Sequence, residues 1–541
     1  MFLLRPTLLL LCLLLAVPVL GVLGAWLALD EAALAVLRHQ WETVLPGYAG
    51  QSLLLALGVG LGVMLLGSAT AAAVTLFEFP GRRVFEWALL LPLAMPAYVL
   101  AYAWTDALQF SSPLHTALRE LAGTRRALWP DVRSLPFAVA LFVLCLYPYV
   151  YLLTRAALGE RAVRMMEAAR LLGAPMRRRV LEVALPMARP AIAAGTLLAL
   201  METLADYGVG AYFGLTTFST GIYKAWLVMN DRVAAAQLAS ILLLVVAALL
   251  LAERAAQRRL RFVGSKTAAQ GSEARPHRLR GGAAGAAVAL CTLPVLLGFV
   301  LPVLWLSHGV WSEWAYGEFG LPWERFWQWS RASFQLAALA AVAATALALA
   351  LAFVLRGGGR GLLGRLLAGA ARVLSLGYAV PGAVIAVGIL LPVAWLQQRW
   401  PEAGTTAVVT GTVLGLVYAY LVRFSAVALQ SVDAGYARVP LSVDETARML
   451  GSGAGRTFWV LHLPLLKRSA GAAALLVFVD VMKELPATLV LRPFGSDTLA
   501  VVAYNLARDE RLAEAALPSL AIVAVGLLPV IVLSRALRAD D

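Results

Sequence analysis

Charge is scarce in this chain. Only 14% of its 541 residues are Asp, Glu, Lys or Arg, while 61% are hydrophobic and the mean hydropathy is +0.79. That is too little charge to clothe a water-soluble domain of this size. Cysteine is nearly absent. Cys12, Cys145 and Cys291 lie far apart inside apolar runs, which excludes a disulfide framework or a CxxC metal site and leaves small buried side chains. The five histidines, His39, His115, His277, His308 and His462, lie mostly in loops or near the ends of apolar runs and show no metal-ligand spacing; they read as incidental surface or interface residues. No GxxxxGK[ST] string occurs. Gly451-Ser-Gly-Ala-Gly455-Arg456-Thr457 lacks both the spacing and the lysine of a phosphate loop. No nucleophile–base pair is evident, so a membrane-bound enzyme is a distant reading.

What is there is length in apolar runs. About twelve occur, near 7–29, 51–77, 86–108, 135–154, 187–212, 234–252, 282–307, 332–355, 371–396, 406–429, 469–491 and 514–535. Each is about the ~20 residues that cross a bilayer as a helix. Lipid offers backbone groups no partner, so an all-α integral membrane protein is expected. The first run, with Arg5 before it, is too long for a signal-peptide core and lacks an obvious A-x-A site, so it counts as a span.

The net charge of +14 suggests nucleic acid, but its distribution argues against that partner. Arginine clusters in alternate loops: Arg82-Arg83, Arg155 to Arg189, Arg254 to Arg280, Arg356 to Arg372, Arg438 to Arg468, then Arg535 and Arg538. The intervening loops are mixed or acidic. This alternation predicts that both termini are cytoplasmic. Trp311, Trp314, Tyr316, Trp323, Trp327 and Trp329 crowd one outer loop and fit an interfacial aromatic belt.

The chain also repeats itself. Glu167-Ala168-Ala169, Gly173 and Val183-Ala184-Leu185-Pro186 recur 278 residues later as Glu445-Thr446-Ala447, Gly451 and Leu461-His462-Leu463-Pro464. At the same offset Glu202 matches Asp480 and Asp206 matches Glu484, while Met95-Pro96 and Val380-Pro381 recur in spans 3 and 9. Two parallel six-helix halves follow: 1–252 with a polar loop at 160–190, a cytoplasmic linker at 253–281, and 282–541 with a loop at 438–468. An even number of spans returns the chain to the same side, so an axis along the membrane normal would relate the halves. In each loop a helix carrying Glu, a glycine turn and a short amphipathic helix are expected. Met176, Val180 and Val183 form one apolar stripe, as do Ala454, Phe458 and Leu461, and such a face could fit a groove on a partner. An amphipathic helix lying on headgroups is the bland alternative, which duplication makes less attractive.

The duplicated loop resembles the EAA loop of binding-protein-dependent ABC importer permeases. The first copy matches that pattern fully; the second departs by Thr446 and by Leu461 in the aliphatic slot. The resemblance implies that Glu167, Ala168, Ala169, Gly173, Met176, Val180, Pro186, Glu445, Ala447, Gly451, Phe458 and Pro464 couple the spans to ATPase subunits. It implies two separate ATP-binding ABC subunits on the cytoplasmic side holding ATP and Mg, an extracytoplasmic solute-binding protein, and the bacterial inner membrane as the location. No cofactor would bind this chain itself. Leu146-Tyr147-Pro148-Tyr149-Val150-Tyr151, Asp206-Tyr207-Gly208 and Lys483-Glu484-Leu485-Pro486-Ala487-Thr488-Leu489 are similar to strings of the fused ferric-iron permeases, a branch related to thiamine, phosphonate and polyamine permeases.

Ionisable groups inside spans are costly and mark function by default. Glu202 and Asp206, at i and i+4, are expected to share a face of span 5, with Asp480, Lys483 and Glu484 equivalent on span 11. Four carboxylates suit a hard cation, with Lys483 neutralising one. An interhelical hydrogen-bond and salt-bridge network that holds the halves or gates the path is preferred to direct ligation, and no metal site is assigned. An ion-coupled secondary transporter, with the acids carrying protons, is the competing class.

Overall fold

The computed structural model describes residues 4–24, 26, 30–158, 163–262, 277–317, 320–357 and 361–539. Nearly all of them are helical. Eleven helices among the described residues are long and apolar enough to cross a bilayer, or twelve if the bent pair Arg82–Ala94 and Ala97–Leu121 forms one span.

The total is close to the twelve expected, but the span expected at 371–396 counts as two, the one expected at 469–491 is not among these candidates, and the partition differs at prolines. The span expected at 86–108 breaks at Met95-Pro96, and the one expected at 371–396 is two helices, Leu362–Ala379 and Gly382–Arg399. A residue before proline is pushed out of the helical region by the ring. Met95 and Val380 are accordingly extended, at ψ 110° and 122°. The span expected at 469–491 also stops early: helix Leu463–Met482 is followed by a short helix, Pro486–Leu491. Of the expected linker, 253–262 continues the helix Arg232–Phe262, and 263–276 lies outside the described residues.

The compact units are not contiguous halves. One, here unit I, comprises Thr43–Thr220, Leu244–Pro322 and Ala503–Asp541; unit II comprises Met1–Glu42, Gly221–Leu243 and Trp323–Val502.

In unit I the helices Leu45–Leu76, Leu135–Ala157 and Leu185–Ala205 pack mutually. Glycine lets them close. A Cβ on Gly195 would lie 2.7 Å from the Val150 Cα, and one on Gly67 2.8 Å from the Tyr147 carbonyl. Small residues at crossings are the usual device where lipid removes the hydrophobic drive between helices. The segment Gly282–Tyr316 belongs to this unit and packs through Leu301–Tyr316 on Leu512–Ala539. A two-residue parallel pairing joins Phe77–Glu78 to His277–Arg278.

Unit II repeats the trio with Trp323–Arg356, Val413–Tyr436 and Leu463–Met482. Ala473, fully buried, stands where Gly195 stands in unit I. The N-terminal helix Leu4–Gly24 packs here, on Leu362–Leu374 and Gly382–Arg399. At that crossing a Cβ on Gly21 would sit 2.9 Å from the Gly388 carbonyl.

Candidate coupling loops and embedded acids

The two motif loops have the same backbone at an offset of 278. Helix Val163–Leu171 corresponds to Ser442–Met449, Met176–Arg178 to Ala454–Arg456, and the widened π-turn Arg179–Ala184 to Thr457–His462. Both first helices end in a Schellman turn. Ala174 N–H donates to the Ala169 carbonyl at 3.0 Å and Gly173 N–H to Arg170 at 3.0 Å; Ser452 to Ala447 (2.9 Å) and Gly451 to Arg448 (3.0 Å) repeat them. The turn needs a left-handed residue, and Gly173 and Gly451 supply φ of 79° and 72°. The π-turn has a local cause as well. Pro186 and Pro464 cannot donate to the carbonyl four residues back, which the ring would also crowd. The chain widens instead: Leu185 N–H donates to Val180 and Leu463 N–H to Phe458.

Burial divides the expected coupling residues. Glu167, Ala168, Glu445, Gly173 and Gly451 are exposed, while Ala169 and Ala447 are half-covered. The stripe Met176, Val180, Val183 is half-buried, as are Ala454, Phe458 and Leu461, and Phe458 packs on Phe353 at 5.1 Å. The apolar groups that do face outward are others. Leu171 and Leu172 are each 88% exposed, and their counterparts Met449 and Leu450 89% and 81%; Leu181 and Trp459 also match in position and exposure. An apolar pair directly before the turn glycine in a polar loop was the available signal, and helical periodicity overlooked it.

What holds the two loops differs. In the second copy Asp444 sits between two cationic or ionisable partners. Arg356 Nη2 lies 2.8 Å from its Oδ2, and His462 Nε2 2.9 Å from its Oδ1. Arg356 also donates to the carbonyls of Val439 (2.8 Å) and Pro440 (2.9 Å), and His462 Nδ1 is 3.0 Å from the Tyr436 hydroxyl. Burial pushes His462 below the ordinary imidazole range; Asp444 opposes that shift and Arg356 adds to it. His462 is thus an anchored, buried residue, contrary to the incidental reading of the sequence. His115 is buried too, stacked 4.1 Å from Trp129. In the first copy the matching positions of Asp444, Tyr436 and His462 are Met166, Leu158 and Ala184, all buried and apolar.

The embedded acids do not lie on continuous helical faces. In unit I, helix Leu185–Ala205 ends before Asp206, which is extended at ψ 133°. Asp206 Oδ1 accepts from Val209 N–H at 2.8 Å and so caps the short helix Gly208–Tyr212. In unit II, Glu484 lies beyond the end of its helix. Its oxygens accept from Ala487 N–H (2.9 Å) and Thr488 N–H (3.0 Å), and Arg423 Nη1 is 3.2 Å away. Asp480 pairs with Lys483 at 2.9 Å. The positions of Arg423 and Lys483 are occupied in the first copy by Cys145 and Ala205. Helix periodicity placed Asp206 on the face of Glu202, but a carboxylate that can bond the next helix's free N–H groups ends its own helix instead. Among the described residues no three carboxylate, imidazole or thiol groups gather as a metal site.

Residues 63–262, which contain the first loop and both acids of unit I, match the family described as binding-protein-dependent transport system inner membrane component. The chain is similar to the Fe(3+)-transport system permease protein FbpB 2 of Haemophilus influenzae, 23% identical over 494 residues that span 90% of this chain and 88% of that protein. Shorter likenesses are to proteins named for 2-aminoethylphosphonate transport: PhnU of Salmonella choleraesuis, 26% identical over 39% of this chain and 75% of that protein, and PhnV of Salmonella typhimurium, 29% over 30% and 59%. By the number and length of its apolar helices the chain is a multi-pass membrane protein, and both motif loops and both acid-capped breaks lie on it.

Proposed function

We propose that this permease is the membrane subunit of an ATP-driven importer that moves Fe(III), delivered by an extracytoplasmic binding protein, into the cytoplasm. The observation that carries the coupling half is the paired loop: two matching backbones, each turning at a left-handed glycine and each holding out a solvent-facing apolar pair, Leu171-Leu172 and Met449-Leu450. Two handles of one shape suit two copies of one partner, and an exposed apolar pair on a charged loop is otherwise a liability. Burying one such leucine on a partner contributes about 2 kcal/mol. The partners are two ATP-binding subunits carrying ATP and Mg, closure of which rocks the loops and alternates access between faces. The arginine-rich loops lie in the cytoplasm with both termini. The full-length likeness to an Fe(3+) permease favours ferric cargo over the phosphonate named for the partial relatives.

Reconstitution in liposomes with the ATPase and binding protein tests this. Expected is radiolabelled ferric uptake that requires ATP and both partners. Uptake driven by a proton gradient alone would replace the ATP-driven reading. ATP-dependent uptake of a phosphonate and not of iron would replace the cargo.

A further inference from the structure

Unit I contains a group of phenols that neither the packing nor the coupling loops require. Helix Ala97–Leu108 sets Tyr98 and Tyr102 one turn apart, rings 5.7 Å from each other. The break after Ala205 presents Asp206 and Tyr207, and the Tyr207 hydroxyl lies 3.3 Å from that of Tyr504. Tyr102 is 1% exposed, and among the described residues its hydroxyl has no hydrogen-bond partner. Its ring meets that of Tyr212 edge-on at 4.8 Å, on the short helix that Asp206 caps. A buried, unbonded hydroxyl is costly and asks for a reason.

The second copy shows that the fold does not supply the reason. Counted from Pro381 as Tyr98 and Tyr102 are from Pro96, its residues are Ala383 and Val387, and Leu485 stands for Tyr207. Its acid, Glu484, already has the Arg423 guanidinium beside it, whereas the first copy has Cys145 at that position. The second copy therefore carries its own cation, and the first carries oxygen donors.

We propose that Tyr98, Tyr102, Asp206, Tyr207 and Tyr504 form a transit station for the ferric ion in unit I. This rests on the ferric reading above. A small trivalent cation prefers anionic oxygen. Each phenol that coordinates it releases its O–H proton to water, the ion stays ferric, and no electron is transferred. The positive charge that binds then offsets the buried phenolates it creates.

The assembled importer, in nanodiscs without ATP, is titrated with ferric citrate and followed by the visible phenolate-to-iron charge-transfer band. Ferric uptake is measured in parallel on the same importer in liposomes. Tyr102→Phe and Tyr504→Phe keep ring and packing and lose only the oxygen. Expected is a band in the wild type, a ferric affinity lowered about tenfold or more in each variant, and slower ferric uptake at unchanged ATPase activity. If Tyr102→Phe fails to assemble, Tyr504→Phe carries the test. Absence of the band, or an unchanged band and uptake in both variants, overturns the station while active ferric uptake leaves the cargo reading standing. Uptake of a phosphonate with no ferric uptake overturns both.

Discussion

The loop of residues 163–186 and that of 442–464 follow one backbone and are held by opposite means. Around the first, Leu158, Met166 and Ala184 are buried apolar groups. Around the second, the same places hold Tyr436, Asp444 and His462, tied to Arg356. The glycine turn, the proline-induced π-turn and the exposed apolar pair are common to both. The common features are local, set by residues within a few positions; the divergent ones are tertiary, set by what another helix offers. A repeated handle can thus keep its shape while each copy acquires its own sensitivity. Leu158, Met166 and Ala184 do not titrate, whereas the polar setting responds to pH and to loss of any single partner.

The largest difference between the copies is expected from removing the arginine. Arg356→Ala leaves Asp444 part-buried without its main cation, which costs roughly 3 kcal/mol. A lower Tm and faster proteolysis confined to 438–468 are expected, with 160–190 unchanged; equal effects on both loops would break the comparison.

Valine at the turn glycines should act alike in the two copies. Among the described residues nothing lies within 4 Å of a Cβ on Gly173 or Gly451, so the penalty is one of backbone, about 1–3 kcal/mol for a residue held left-handed. Gly173→Val and Gly451→Val are each expected to uncouple ATP hydrolysis from uptake, with Asn at either site largely restoring it. Coupled transport in both valine variants would refute the docking role.

The outward pairs sharpen the shared part. Leu171→Ser with Leu172→Ser, or Met449→Ser with Leu450→Ser, should leave Tm nearly unchanged, because exposed sites shift stability by under about 0.5 kcal/mol. Affinity for the ATPase subunits should fall more than tenfold per pair. Unaltered affinity in a pull-down titration would remove these residues from the interface.

The smallest effect is one of pH. His462 is held below the ordinary imidazole value of 6.5. The unfolded chain therefore binds the proton more readily, and stability is full above that value. It falls as pH drops from the ordinary imidazole range toward the lowered folded value. Below the folded value it falls no further. Acidification from pH 7.5 to about 5.5 should loosen the second loop alone by hydrogen exchange, and His462→Gln should flatten the response. A matching response in the first loop would contradict the assignment.

Some of this was open to inspection as sequence, because it depends on spacing and local chemistry. Run length gave most of the spans; the glycine at a fixed offset gave the turn in each loop; the repeated acids gave equivalent positions. Other features depend on which distant group arrives at a given atom. That His462 meets Asp444 and Arg356, that the stripe of Met176 and Val180 turns inward while Leu171 and Leu172 turn outward, and that Asp206 and Glu484 bond the next helix's N–H groups could not be read from periodicity. Nor could the assignment of Leu4–Gly24 to the unit of the second motif copy. A repeat determines the backbone because turns and helix ends answer to neighbours in the chain; tertiary packing alone decides which of two equal copies is pinned by charge and which by apolar contact.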